Sequence, residues 1–539
     1  MRYHHAVVQE RRILCVFPAY TPSFGTFAHA YDLMSGVRAF MPPQGLLVIA
    51  AYLPERWSVR VVDENIAPAR AADFAWADAV FVSGMHVQAA QIHSIQARAR
   101  AAGKVTVLGG SSVSSTPEKY PAFDYLHLGE IGDATDELIR RLDADLTPPA
   151  AQVRLETRER LPLADFPLPA YHALPLRRYL LGSMQFSSGC PYRCEFCDIP
   201  ALYGRQPRLK TSAQLLAELD RFIAQKNHPA MIYFVDDNFI GNRKATREML
   251  PALVDWQKRH GYPLVFACEA TLNLARQTDI LELMREAAFH TVFVGIETPE
   301  LEALKSMDKG HNAKLPMLDA IATLNRYGLE VTSGIIMGLD TDTADSLGRL
   351  IEFIDRSQVP VLTINLLQAL PKTPLWERLA RAGRLVEDPA LESNVRFLRP
   401  HDEVVSSWKQ AIAHAYRPAN LFARFHHQVE ATYRHRLPLP AATRLTLPNL
   451  KRALVLASNI AWRIGVLADY RAPFWRAARH ALKAGQVESV FGMGFVAYHL
   501  VRFTREALRG EQNASFYAPR ARGTRLPAAP HLSHGLAPK

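Results

Sequence analysis

Residues 12 to 145 alternate short apolar runs with stretches of helical period. Arg12 to Phe17, Ser58 to Val62, Ala79 to Ser83 and Val105 to Leu108 read as strands, and Gly45 to Leu53 and Gln88 to Ala102 as helices. Strands separated by helices of this length predict an α/β domain, a doubly wound, Rossmann-like parallel sheet with helices on its faces. Such sheets hold ligands at the carboxyl ends of their strands. The turns expected there are polar and glycine-rich: Asp63-Glu64-Asn65, Ser83-Gly84-Met85-His86, Gly109-Gly110-Ser111-Ser112 and Gly129-Glu130. No G-x-G-x-x-G follows the first strand, so a nicotinamide or flavin fingerprint is missing.

Residues 148 to 180 read as a connector, with Pro148, Pro149, Pro162, Pro167, Pro169 and Pro175 breaking regular structure. A second alternating series follows. Its strand-like runs are Ser183 to Ser188, Met231 to Val235, Leu264 to Cys268, Thr291 to Gly295, Val331 to Met337 and Val361 to Leu367. Between them lie helical patterns such as Ala213 to Gln225 and Lys244 to Arg259. Six strand-helix units are too few to close an eight-fold barrel. From about His401 the chain is helical in period, with apolar runs at Ala453 to Ala468 and Val490 to Val501. The stripe from Phe491 to Tyr498 could face lipid, but packed core is the commoner use of such a stripe. The final residues have little periodicity and read as disordered. These patterns divide the chain at 1–147, 148–180, 181–400, 401–510 and 511–539.

Between the strand-like run ending at Ser188 and the next helix lies Ser-Ser-Gly-Cys-Pro-Tyr-Arg-Cys-Glu-Phe-Cys-Asp, with cysteines at Cys190, Cys194 and Cys197. Thiolates select zinc or iron-sulfur clusters. A structural zinc site uses four closed ligands, usually as two pairs, and the remaining Cys15 and Cys268 sit far off in apolar runs. Three cysteines on a 4Fe-4S cluster leave one iron free to bind a substrate or cofactor.

Composition sets the compartment and the charge. Five cysteines in 539 residues, three in one motif, argue for a reducing compartment and against a disulfide scaffold. The first apolar run, Ile13 to Phe17, is too short for a signal peptide, and no uncharged stretch is long enough to span a bilayer. A cytoplasmic protein, peripheral at most, is the expectation. The net charge of +11 lies in the tail: residues 401 to 539 hold 20 Lys plus Arg against 7 Asp plus Glu, a net of +13. Such a region suits an acidic partner, although a solvated helical face accounts for it equally.

The C-x3-C-x2-C spacing, with Phe196 before its last cysteine, resembles the signature of the radical S-adenosylmethionine (SAM) superfamily. Pro42-Pro43-Gln44-Gly45 and the Gly109-Gly110-Ser111 turn resemble the cobalamin-binding domain that precedes the radical core in one subgroup. With Leu370-Pro371-Lys372-Thr373-Pro374 and a basic helical tail, the chain is similar to the bacterial group containing the hopanoid C-2 methylase. The resemblance implies a partial (β/α)6 barrel after the cobalamin domain, then an α-helical region. It implies a 4Fe-4S cluster on Cys190, Cys194 and Cys197, with SAM and methylcobalamin. SAM would lie near Phe196, Asp237, Asn238, Glu269, Glu297, Gly334 and Gly338. Asp237 and Asn238 stand where the family places a Gly-Gly-Glu-like segment, and the adjacent carboxylates of Asp236 and Asp237 could equally cap the next helix. Cobalamin would meet Gly45, Asp63, Ser83, His86, Gly109, Gly110, Ser111, Gly129 and Glu130. The Asp-x-His-x-x-Gly motif for the lower cobalt ligand is absent. His86 is a candidate for that role, though turn histidines are more often simply hydrogen-bonded.

The implied reaction is C-methylation of an unactivated carbon. A 5′-deoxyadenosyl radical would take a hydrogen, methylcobalamin would give the methyl, and a second SAM would restore it. C-2 of a hopanoid, a polycyclic triterpenoid lipid, is the expected acceptor. Reduced flavodoxin or ferredoxin would be the electron donor, and the basic tail would touch anionic membrane. The same architecture could serve another natural product or a non-methylating radical reaction. A cluster- or cobalamin-based sensor gripping nucleic acid is the remote alternative, and no DNA-reading helix-turn-helix supports it.

Overall fold

The structure, a computed structural model, describes residues 10–310, 316–386, 388, 391–440 and 446–511. Near-continuous apolar runs in the first domain form six strands: β1 (Arg12–Phe17), β2 (Ser58–Asp63), β3 (Ala79–Ser83), β4 (Val105–Gly109), β5 (Tyr125–Leu128) and β6 (Val153–Glu156). All are parallel, in the spatial order β2-β1-β3-β4-β5-β6. Such runs belong to a sheet buried on both faces. Leu14, Val16, Val80 and Val82 pack with Ile92 and Ile95 on one side. Ile13, Cys15, Phe81 and Val107 pack with Leu46 and Leu138 on the other. The strand order reverses between β1 and β3, which opens a crevice at their carboxyl ends.

The proline-rich segment, expected to be free of regular structure, holds a strand. Val153–Glu156 forms the edge strand β6, because its backbone pairs in register with Tyr125–Leu128 despite the flanking prolines. The rest of that segment stitches the two domains together. The Tyr179 hydroxyl donates to Asp63 at 2.8 Å, the Tyr171 hydroxyl to the Ser183 carbonyl at 2.8 Å, and the Ser183 hydroxyl to the Pro42 carbonyl at 2.8 Å.

The second domain holds β7 (Gly182–Met184), β8 (Ser187–Ser188), β9 (Arg208–Leu209), β10 (Met231–Phe234), β11 (Val265–Ala270), β12 (Phe289–Glu297), β13 (Glu330–Met337) and β14 (Val361–Leu366). Six of these make a parallel sheet in the order β7-β10-β11-β12-β13-β14, while β8 and β9 pair antiparallel apart from it. The run Ser183 to Ser188, read as one strand, breaks into β7 and β8. Asp236 is the cause: its carboxylate accepts the amides of both Phe186, at 3.0 Å, and Ser187. The chain is thereby turned out of the barrel and toward the cysteines.

The helices His401–Ala415, Pro418–Ala431, Leu447–Ile460, Arg471–Lys483 and Val487–Leu508 form the C-terminal region. An uncovered strand edge presents unpaired backbone groups, and this region covers the edge of β14. Trp408 Nε1 donates to the Ile364 carbonyl at 2.8 Å, and the Leu362 amide donates to the Tyr416 hydroxyl at 3.0 Å. The stripe from Phe491 to Tyr498 is largely core, with Met493 and Ala497 fully buried. No helix of the described residues is long and apolar enough to cross a membrane. Residues 512–539, which hold nearly all of the expected disordered tail, lie outside the described residues.

Candidate active site

The loop carrying Cys190, Cys194 and Cys197 is pinned on several sides. The Gly189 amide donates to Asp237 Oδ2 at 2.7 Å and the Cys190 amide to the Gly204 carbonyl at 3.2 Å. Gly189 has φ +98°, and a Cβ there would lie 2.9 Å from the Gly204 oxygen, so only glycine fits. The Glu195 amide donates to Met307, and the Glu195 carboxylate pairs with Arg378 at 2.5 Å. All three thiols are free. Burial raises each pKa, to about 11 for Cys194; the Cys190 charge adds to the rise at Cys194, and the Cys190 and Cys194 charges add to it at Cys197. These donors fit a cluster that gives each thiolate its own iron. Among the described residues, no three His, Cys, Asp or Glu stand close enough to share a single metal ion.

Beside the cysteines sits a buried ion pair that the sequence did not single out. Lys309 Nζ lies 2.5 Å from Glu297 Oε1 and 5.4 Å from the centre of the Phe196 ring. Burial pulls the Lys309 pKa down, but Glu297 and the Cys194 and Cys197 thiolates pull harder and leave it raised. Glu297 has φ +66° at a register shift in β12. A Cβ on Gly295 would come within 2.4 Å of its carboxylate and 2.7 Å of Lys309 Nζ. The backbone is bent to hold this pair.

The remaining residues expected near SAM take different roles. Asn238 is buried, and its side chain acts to lower the Cys190 pKa against the rise that burial causes. Glu269 accepts from the Tyr233 hydroxyl at 3.1 Å, and burial pushes its pKa up to about 7. Gly334 lies beneath Phe293 and Glu297 inside the barrel. Gly338, φ +85°, is glycine because a Cβ would strike the Phe397 ring at 2.6 Å. Phe196 lines a cavity of ≈ 130 Å³ with Met307, Leu339, Leu367 and Leu375.

Burial also raises Asp236, to about 7. A carboxyl raised on folding contributes stability that is full below its unfolded pKa and lost as pH rises through the folded one. Asp236→Asn, which stays neutral, is therefore expected to gain in thermal midpoint relative to wild type between pH 4 and 7, and to level off above. A pH-independent difference would contradict this.

A second cavity, ≈ 300 Å³, lies between the two domains at the carboxyl ends of the first sheet. It brings together Gly45, Ser83, Gly109, Gly110, Ser111, Gly129 and Glu130 from one side with Gln185, Tyr203 and Asp237 from the other. Leu46, Phe81, Val107 and Leu138 give it apolar walls, which suit a flat heteroaromatic group. Gly110 has φ +96°, and a Cβ there would sit 2.8 Å from Ser83 Oγ. Two of the expected residues stand elsewhere. Asp63 binds Asn65 and Tyr179 and acts as a domain clamp. His86 lies 3.5 Å from Ser112 Oγ outside the cavity lining, and burial lowers its pKa to about 4. Glu130 bridges the domains through Arg208 at 2.5 Å and Arg160 at 3.2 Å. His127, also in the lining, was not anticipated; it pairs with Thr135 at 2.9 Å. The cradle fits a corrinoid. Gly110→Val is expected to cut cobalamin binding at least about tenfold, read as corrinoid absorbance after reconstitution; full loading would contradict the assignment.

Comparisons with known proteins agree with this layout. The B12 binding domain matches residues 32–139 and the radical SAM superfamily residues 184–354. A domain of unknown function, DUF4070, matches residues 373–513. The fold is also that of the cobalamin-dependent SAM radical enzyme OxsB, with TM-score 0.58 at 13% identity over 94% of this chain and 81% of that one. It is shared with the radical SAM methyltransferase TsrM from Kitasatospora setae, with TM-score 0.55 at 16% identity over 88% of this chain and 100% of that one. Two cofactor-binding domains facing one another across a cavity, with three cysteines at the barrel mouth, define a cobalamin-dependent radical SAM methyltransferase. The chain belongs to the cobalamin-binding radical SAM superfamily, in the family of the hopanoid C-2 methylase of Rhodopseudomonas palustris (strain TIE-1). The two are 57% identical over 518 residues, covering 96% of this chain and 98% of that relative. An uncharacterized methyltransferase of Synechocystis sp. is 35% identical over 87% of each chain.

Proposed function

We propose that this chain methylates C-2 of a hopanoid lipid, with reduced flavodoxin or ferredoxin as its electron source. The observation that carries the reading is the 57% identity to a hopanoid C-2 methylase, which extends through the C-terminal region as well as both cofactor domains. A C–H bond on a saturated ring is not acidic, so general acid-base catalysis offers no route to it. When bound, the cluster supplies the electron that cleaves SAM and cobalamin supplies the methyl group. Cys190, Cys194 and Cys197 hold the cluster. Glu269 and Tyr233 face the barrel interior as partners for the polar groups of SAM. Phe196 and Leu339 offer its adenine apolar contacts in a cavity that Glu195, Asp340 and Arg378 also line. Asp237 fixes Gly189 and so the start of the cysteine loop, and Glu130 locks the domains against each other through Arg208. The apolar walls of the interdomain cavity keep out water.

Mass spectrometry of lipids from a hopanoid-producing bacterium, with and without this gene, tests the reading. Loss of a hopanoid one methyl heavier supports it. An unchanged profile while the protein is expressed moves the same chemistry to another substrate.

A further inference from the structure

The helix Leu447–Ile460 runs into a π-helical turn, Ala461–Val466. Along this segment Leu447, Leu450, Leu454, Trp462 and Val466 recur at intervals of three, four and eight, which places them on one face. A surface helix of a globular protein turns such a stripe toward the core. Here the five are 81%, 48%, 68%, 60% and 51% exposed, and the following Leu467 is 62% exposed. The orientation is fixed from beneath. Ile460 and Ile464 are buried, Asn459 Nδ2 donates to the Leu33 carbonyl at 2.9 Å, and Gly465 lies so close to Trp475 that a Cβ would come within 2.7 Å of it.

Charge follows the stripe. Between Thr446 and Val487 the sequence holds seven Lys or Arg and one acid, Asp469, which is taken by Arg505 at 2.7 Å. Lys451, Arg471, Arg476, Arg479 and Lys483 are exposed and have no acidic partner among the described residues. Exposed apolar side chains on one helix, with unpaired cations on it and on the helix that follows, match a layer whose interior is hydrocarbon and whose surface is negative.

We infer that this face seats the protein on an anionic phospholipid surface, with the leucines and Trp462 at the acyl boundary and the cations among the headgroups. It gives the DUF4070 region a docking role. It rests on the lipid-substrate reading for its purpose, since a bilayer-resident hopanoid must be reached from the membrane surface.

Flotation of the full-length protein with vesicles of phosphatidylcholine, with or without phosphatidylglycerol, tests it. Binding is expected to require phosphatidylglycerol and to weaken at high salt. Leu450→Ser with Leu454→Ser is expected to weaken it about tenfold per leucine. That variant should still methylate detergent-dispersed hopanoid at the wild-type rate, and should lose methylation of hopanoid embedded in vesicles. Absence of flotation, or flotation unchanged in the double variant, overturns the inference while leaving the methylase reading intact. Dimers in gel filtration that the double variant dissolves also overturn it, making the stripe an interface between copies. If wild type floats as expected yet leaves dispersed hopanoid unmethylated, the docking stands and the substrate reading fails.

Discussion

Cys194→Ala is expected to abolish methyl transfer and to lower the iron retained after anaerobic reconstitution well below about four per chain. The loop is held by backbone contacts at Gly189, Cys190 and Glu195 and by the Glu195–Arg378 pair, so the variant keeps its fold and loses only an iron ligand. Cys15→Ala and Cys268→Ala provide the contrast. Both thiols are fully buried within β1 and β11, where cysteine acts as a small apolar side chain. They are expected to keep iron and activity with a modest fall in thermal midpoint. Iron content unchanged in Cys194→Ala, or lost in Cys15→Ala, would contradict the assignment.

The second large effect falls on Lys309. Lys309→Met leaves the Glu297 carboxylate buried without its cation, beside three thiols that must ionise to hold iron. Breaking a buried pair by removing one partner costs about 3–5 kcal/mol. A clear drop in thermal midpoint and weaker cluster retention are expected, read by calorimetry and by iron content. Glu297→Gln added to Lys309→Met should recover part of both, because it removes the stranded charge. A single variant as stable as wild type would show that the pair holds nothing.

These two sites also mark what the sequence makes legible. Cys190, Cys194 and Cys197 stand in one short run with a spacing whose chemistry is narrow, so a linear reading finds them. Parallel strands buried on both faces are continuous apolar runs, which is why β1 to β4 and β10 to β14 fall within a few residues of their predicted bounds. Lys309 carries no such mark. It lies in Asp308-Lys309-Gly310, far in sequence from the cysteines, and meets Glu297 only through the bend of β12. Asp236 and Asp237 are adjacent, and pattern cannot say which turns toward the backbone of β8 and which toward Gly189. Strand β6 was hidden because proline content signals a break, while Tyr125–Leu128 offers Val153–Glu156 a backbone to pair with. His86 and Asp63 show the converse. Both sit in strand-end turns, yet packing against Ser112 and Tyr179 takes them out of the cavity.

The reaction itself offers the most direct test of the central claim. The reconstituted protein is incubated without oxygen with a reductant, a hopanoid unsubstituted at C-2, and SAM whose methyl group carries deuterium. A hopanoid bearing the trideuterated methyl at C-2 is expected, with S-adenosylhomocysteine and 5′-deoxyadenosine formed in equal amounts. Production of 5′-deoxyadenosine alone, with the hopanoid recovered unmethylated, would contradict the claim.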